Sequence, residues 1–430
     1  MLRNVSVMAA RVLRHGVIIY TVTFLFILPI VCYNKTFSFY FKLRDRKQQN
    51  VINGLIQKRN QAVKDAEVFF RTFDQGTFDT RLSGPGTTGN RRSNVFGTNR
   101  VPDIAVGIIS VKREVFNSQY SHFQPKYVLE VTARLLQVLE RMGDDLRTRI
   151  TVFICNPQSD PDTNDETIMF LSNYVRTIHK KSSDNKKPWT SNRHDQEKND
   201  YAFCLREMSK FGAKYTLILQ DDAVIHWDFF DVLMHILGTK IEHRYERGEL
   251  VKANASNLAY VKLYFPEKWQ GFAWELRQMT ELLVIGIAGG TILTLIYEKI
   301  ICRPINSVQL RIFVLSLAIL YCILVALSIN RQNLMMVRRV SPHLYYIRDS
   351  PHCCIPAVLY SQGHIRDIVQ YLESPDLTCH SNFPLDVAIG QYVDKLGLDA
   401  FLIEPNLVDH IGLFSTLHRG PKDPASFFEI

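Results

Sequence analysis

This 430-residue chain lacks the marks of several common protein classes. Its mean hydropathy is near zero and 22% of its residues are charged, so it lacks the apolar bulk of a polytopic transporter. With 46% hydrophobic residues it is not a largely disordered chain either. No zinc-finger, RRM or helix-turn-helix pattern accompanies the net charge of +9, and no nucleic acid is expected as a partner. Small residues are missing where a signal peptidase would cut, since Cys32-Tyr33-Asn34 closes the first apolar run. That run therefore reads as an uncleaved signal anchor. There are only eight cysteines. Cys32 and Cys322 fall in apolar runs and Cys302 between two of them, which leaves Cys155, Cys204, Cys353, Cys354 and Cys379. These five cannot all pair with one another.

Uncharged apolar runs cover 16–34, 282–297 and 312–330, the last two separated by fourteen residues. A helix rises about 1.5 Å per residue against a hydrocarbon core about 30 Å thick, so the first and third can span it. The second is short, about 24 Å, and would need Lys299 to snorkel or the bilayer to thin. Gly286-Ile-Ala-Gly-Gly290 offers a small-residue face for close helix approach. A buried helical hairpin is the alternative for the later pair. Arg3, Arg11 and Arg14 precede the first run, and Lys299, Arg303 and Arg311 fill the hairpin loop. The positive-inside rule then puts the N-terminus in the cytosol and the two large segments across three spans in a lumenal, oxidising compartment. Lys35, Lys42, Arg44 and the arginines after Asn330 argue the other way. Asn254-Ala-Ser256 is a glycosylation sequon in the lumenal part. The expected layout is a tail (1–15), an anchor (16–34), a stem (35–100), the first part of a soluble domain (101–281), the hairpin (282–330) and the second part (331–430).

Within the soluble domain, 104–111, 150–155 and 215–219 are apolar runs of strand length. Segments 127–142, 166–179 and 201–211 have helical spacing, and a basic loop covers 180–199. The alternation implies an α/β fold, with a mostly parallel sheet and helices on both faces. Ligands bind beyond the carboxyl ends of such strands. There the sequence places Val111, Lys112 and Arg113, then Asn156, then Gln220, Asp221 and Asp222. Two adjacent carboxylates at the end of a buried strand repel each other unless a hard cation such as Mg²⁺ or Mn²⁺ joins them. The plainer alternatives are a helix N-cap for Asp222 and a solvated charged turn for Lys112 and Arg113.

These residues resemble a GT-A glycosyltransferase. Gln220-Asp221-Asp222 looks like the Glu-Asp-Asp variant of that family's metal-binding motif, with Gln220 replacing the usual Glu. Val106-Gly-Ile-Ile-Ser-Val-Lys-Arg-Glu114 is similar to the first nucleotide-binding strand of branching N-acetylglucosaminyltransferases. Pro405-Asn-Leu-Val-Asp-His-Ile-Gly-Leu-Phe-Ser-Thr416 is similar to their C-terminal His-Ile-Gly segment. A GT-A domain interrupted by a membrane hairpin resembles the Golgi family that adds N-acetylgalactosamine to the mannose of GPI anchors. The resemblance implies UDP-GalNAc as donor, GPI-anchored proteins as acceptors and Mn²⁺ or Mg²⁺ as cofactor. It implies Asp222, Asp221 and His410 as metal ligands, and Val111, Lys112, Arg113, Asn156, Gln220, Asp221 and His410 around the donor. Inversion at the anomeric carbon needs a carboxylate base; Asp386 is the candidate, with a helix N-cap as its plainer role. Tyr264, Phe265, Trp269, Phe272 and Trp274 either stack on sugars or form an interfacial belt. Two readings stand beside this one: an N-glycan branching N-acetylglucosaminyltransferase, and a non-catalytic membrane adaptor.

Overall fold

Strands whose every residue is apolar must be covered on both sides, and that requirement organises the soluble part. β1 (Ile104–Ile109) and β2 (Ile150–Asn156) are buried along their whole length, and β4 (Tyr215–Gln220) as far as Leu219. They lie in parallel, with Ile104 opposite both Ile150 and Tyr215. The computed structural model describes residues 2–43, 48–73, 101–111, 113, 120, 123–157, 166–180, 193–246, 257–300, 307–374 and 384–414. Lys112, Asn254, Cys302 and Cys379 lie outside them. Two units emerge: 48–266 with 341–430, and 1–47 with 267–340.

The first unit is built on an eight-stranded sheet among the described residues, in the order β3-β2-β1-β4-β8-β6-β9-β7. The outer members are β3 (Arg176–His179), β6 (Leu258–Lys262), β7 (Tyr346–Asp349), β8 (Ala357–Ser361) and β9 (Asp399–Glu404). Pairing is parallel except where β8 lies antiparallel between β4 and β6, and where β7 closes the edge on β9. Because side chains alternate along a strand, Val106 and Ile108 feed one apolar layer while Ala105 and Ile109 feed the other. The first layer packs on α1 (Gln48–Thr72), α2 (Tyr127–Arg141) and α4 (Phe229–Ile236). The second packs on α3 (Arg193–Ser209), α5 (Gln362–Leu372) and α6 (Leu385–Leu396). The α/β architecture expected from the run pattern is the one observed.

Three local expectations change. The helix expected over 166–179 ends at Leu171, and Arg176–His179 pairs with β2 instead as β3. α3 begins at Arg193, well inside the segment read as a basic loop, because its first turns are charged rather than amphipathic. The stem divides: α1 buries Ile52, Ile56, Ala66 and Phe70 in the sheet's apolar layer, and Arg59 pairs with Glu130 of α2 at 2.7 Å. Cys155 of β2 is bonded to Cys204 of α3, and Cys353 to Cys354; Cys32 and Cys322 are free.

The second unit holds three helices long and apolar enough to cross a membrane: Ala10–Val31, Leu276–Ile300 and Val308–Ile329. The middle one has 25 residues, about 37 Å, so the short span expected from uncharged residues alone is corrected. It continues through Glu281 because Arg331 and Arg338 neutralise that carboxylate at 2.8 and 3.0 Å. Gly286 and Gly290 let it close on its partner: a Cβ on Gly290 would stand 2.7 Å from Ile319 N. Thr23 and Tyr321 bind at 2.8 Å and hold the first helix to the third. The aromatic cluster splits between units. Tyr264 and Phe265 are buried beside the sheet, whereas Trp274 is 94% exposed.

Candidate active site

The carboxyl ends of β1, β2, β4, β6 and β9 all meet one edge of the sheet, and the amino end of β8 joins them. β4 ends at Gln220, half-buried, whose N–H donates to Pro356 O at 2.7 Å. The chain then turns at Asp221 and Asp222 into β5 (Ala223–Ile225), which pairs antiparallel with β10 (Val408–His410). That ribbon brings His410 opposite Ala223, and the Ile411 N–H donates to Asp222 O at 2.9 Å. The acidic pair and the His-Ile-Gly segment, far apart in sequence, are thus adjoining backbone.

Arg113, just beyond β1, organises the charges. Its guanidinium donates through both Nε and Nη2 to Asp221, reaches Asp222 Oδ2 at 2.8 Å and donates through Nη1 to Phe414 O at 2.8 Å. Its plane lies 5.2 Å from the Tyr127 ring, and that phenol accepts the Leu413 N–H at 2.9 Å. His410 Nε2 stands 3.2 Å from Asp222 Oδ2. The two acids then diverge. Burial pushes the Asp221 carboxyl up, and Arg113 only partly opposes it. Burial acts on Asp222 as well, but Arg113 and His410 outweigh it and hold that carboxyl well below the usual range. Asp222 is therefore the more acidic of the two, 2% exposed, and among the described residues its Oδ1 has no hydrogen-bond partner.

A buried anionic oxygen without a partner is costly, and a divalent cation is the ligand that suits it. Asp222 Oδ1 and His410 have the donor chemistry for Mn²⁺ or Mg²⁺. Asp221 is committed to Arg113, and among the described residues no three His, Cys, Asp or Glu side chains converge as a metal group. A cation held there would take further ligands such as a bound phosphate or water. Val111 lies half-buried two residues before Arg113, and Asn156 is buried at the end of β2. Tyr264 lies against His410 with ring centroids 5.8 Å apart.

Asp386 lies in the first turn of α6, one residue beyond Leu385, while the N-cap position belongs to Pro384. Its Oδ2 accepts the Cys354 N–H at 2.8 Å and its Oδ1 the Val387 N–H at 2.9 Å. Two neighbours of Asp386 were not foreseen. Lys262, the last residue of β6, is pushed down to about 7 by burial, with Asp386 opposing. Glu197, near the start of α3, is pushed up to about 7 by burial and then by Asp386, with Arg113 opposing. Asp200 of the same helix is pushed up to about 7 by burial although Lys180 stands 3.7 Å away. The signal for Glu197 and Asp200 was the dense charge of 193–200, which a buried helix start rather than a solvated loop explains.

The comparison with known proteins decides the family. Residues 104–409 match the family model described as GPI-N-acetylgalactosamine transferase PGAP4. The chain belongs to that family. It is therefore a member of a family of sugar-transferring enzymes, and the matched stretch contains every strand of the sheet together with the membrane hairpin. Among solved structures it is similar to the mannosyltransferase PcManGT from Pyrobaculum calidifontis in complex with GDP-Man and Mn2+. Identity is 8% and the TM-score 0.31, over 81% of this chain and 65% of that one.

Proposed function

We propose that this chain transfers N-acetylgalactosamine from UDP-GalNAc to the mannose of GPI-anchor glycans, in a metal-dependent, inverting single displacement. The observation that carries the reading is the ionised, buried Asp222, its Oδ1 unpartnered among the described residues, beside His410 at the strand ends of a chain of this family. Asp222 and His410 would hold the cation. A bound Mn²⁺ or Mg²⁺ would act as a Lewis acid on the departing diphosphate. Arg113 adds positive charge at the same edge, and Gln220 offers an amide to a ribose hydroxyl without the charge of a Glu. The acceptor hydroxyl oxygen bonds the anomeric carbon as the bond to the UDP oxygen breaks, and Asp386 takes the hydroxyl proton. The Cys155–Cys204 disulfide supports an oxidising compartment. With Arg11, Arg14 and Arg311 in the cytosol, we assign a Golgi membrane protein of three spans whose sheet unit is lumenal.

The test uses full-length protein in detergent, labelled UDP-GalNAc and a mannose-bearing GPI acceptor, with and without Mn²⁺. Label should reach the GPI glycan, chelator should abolish it, and Asp222→Ala should lose about 100-fold or more while remaining folded. Label confined to released N-glycans, or an Asp222→Ala protein as active as the parent, would overturn the reading.

A further inference from the structure

One peptide group links a buried lysine and a half-buried carboxylate at this edge. Lys262, 1% exposed, donates from Nζ to Cys353 O at 2.9 Å and to Pro351 O at 2.6 Å. The N–H on the other side of the same Cys353–Cys354 peptide donates to Asp386 Oδ2 at 2.8 Å. The C=O and N–H of a trans peptide point in opposite directions. The ammonium therefore pulls on its oxygen while the carboxylate pulls on its hydrogen, and hydrogen bonds so chained polarise one another. The turn that carries this peptide is braced on every side. Cys354 has φ 71°, a conformation unusual for a residue other than glycine, and its side chain is bonded to its neighbour Cys353. His352 pairs with Asp394 of α6 at 2.9 Å and covers Gly390, where a Cβ would come within 2.6 Å of its ring. Pro356 accepts the N–H of Gln220, so the same segment runs back to the acidic turn.

We propose that Lys262 is a positioning residue for Asp386, acting through the Cys353–Cys354 peptide group. The inference rests on Asp386 as the group that accepts the acceptor proton. Without Lys262 the Cys353 carbonyl loses this donor while Pro351 O keeps only Ser350 Oγ, the peptide is free to turn, and Asp386 loses the N–H that fixes one of its oxygens. Misplacing a catalytic group by about 1 Å costs about 100-fold. Donor binding, carried by Asp222, His410 and Arg113, does not pass through this peptide.

The experiment compares Lys262→Met, Lys262→Gln and Asp386→Asn in the full-length protein. It measures kcat, the KM for UDP-GalNAc and the thermal shift induced by UDP with Mn²⁺. Lys262→Met should lower kcat about 10- to 100-fold with the donor KM and the UDP shift unchanged. Lys262→Gln, whose amide still donates, should recover part of that loss. Wild-type kcat in Lys262→Met, or a donor KM that rises in step with the loss, overturns the proposal. Full activity in Asp386→Asn would instead overturn the base assignment beneath it. If Lys262→Met yields no UDP shift, two disulfide-free variants decide. Cys353→Ser/Cys354→Gly should exceed Cys353→Ser/Cys354→Ala in kcat, because glycine adopts this φ freely. Equal kcat in those two overturns the role of the peptide.

Discussion

Replacing Gly412 with alanine should disable the site while leaving the sheet unit folded. The segment cannot drift away from the acidic turn, because Ile411 N–H is bonded to Asp222 O at 2.9 Å and β10 is paired with β5. A Cβ on Gly412 would overlap Asp222 Oδ2 and come within 2.9 Å of its Cγ and 3.3 Å of Arg113 Nη1. Carbon atoms at rest stay about 3.5–4.0 Å apart, so the carboxylate must retreat by about 0.6–1 Å. It is poorly free to do so, since its Oδ2 is held by Arg113 at 2.8 Å and faces His410 at 3.2 Å. Overpacking of this kind costs about 1–3 kcal/mol, a loss of a few degrees in Tm for a unit of this size. The chemical penalty is larger, about 100-fold in kcat/KM, because the displaced atoms are those we assign to the cation. Two measurements suffice: steady-state transfer from UDP-GalNAc, and the rise in Tm on adding Mn²⁺, which Gly412→Ala should largely lose. Wild-type kcat/KM together with an intact Mn²⁺ response would refute the reasoning, since the His-Ile-Gly segment would then touch Asp222 without bearing on the chemistry.

Three further outcomes are expected. Glu197 titrates at about 7 in the folded protein against 4.5 for an ordinary glutamate. Between those values the folded state keeps a proton that the unfolded chain has lost, so stability falls as pH rises, by up to roughly 3 kcal/mol. In metal-free protein, Glu197→Gln should therefore lose less Tm than the parent between about pH 5 and about pH 7.5; parallel curves would count against a buried, raised carboxyl. Replacing Cys155 and Cys204 by alanine removes a crosslink spanning 49 residues, worth about 4 kcal/mol in the chain-entropy account. Thermal melts should show the loss, and an unchanged Tm would mean the bond adds nothing to the β2–α3 contact. Gly290→Leu should force the second and third spans apart, because its Cβ alone would stand 2.9 Å from Ile319 Cα. Gly16 has nothing within 4 Å, so Gly16→Leu should leave a protease-resistant hairpin that Gly290→Leu loses.

What the sequence determined by itself was local. An apolar run such as 104–109 has only one use in a soluble domain, a strand covered on both faces, and 312–330 is too long and uncharged for anything but a membrane span or a deeply buried helix. Asp221 and Asp222 directly after such a strand already pointed to the edge of the sheet where the parallel strands end. The tertiary structure decided everything that depends on partners distant in the chain. Nothing near Asp222 in sequence says that Arg113 will neutralise Asp221, or that β10 will carry His410 to Asp222 and leave one of its oxygens without a hydrogen-bond partner among the described residues. The second span could not be measured from its own residues, because Glu281 becomes tolerable only when Arg331 and Arg338 reach it. Residues 193–200 look like a solvated loop, since a charge is read as exposed until a fold surrounds it. Burial raises Glu197 and lowers Lys262 toward the same pH, and burial comes from strands and helices contributed by the whole chain.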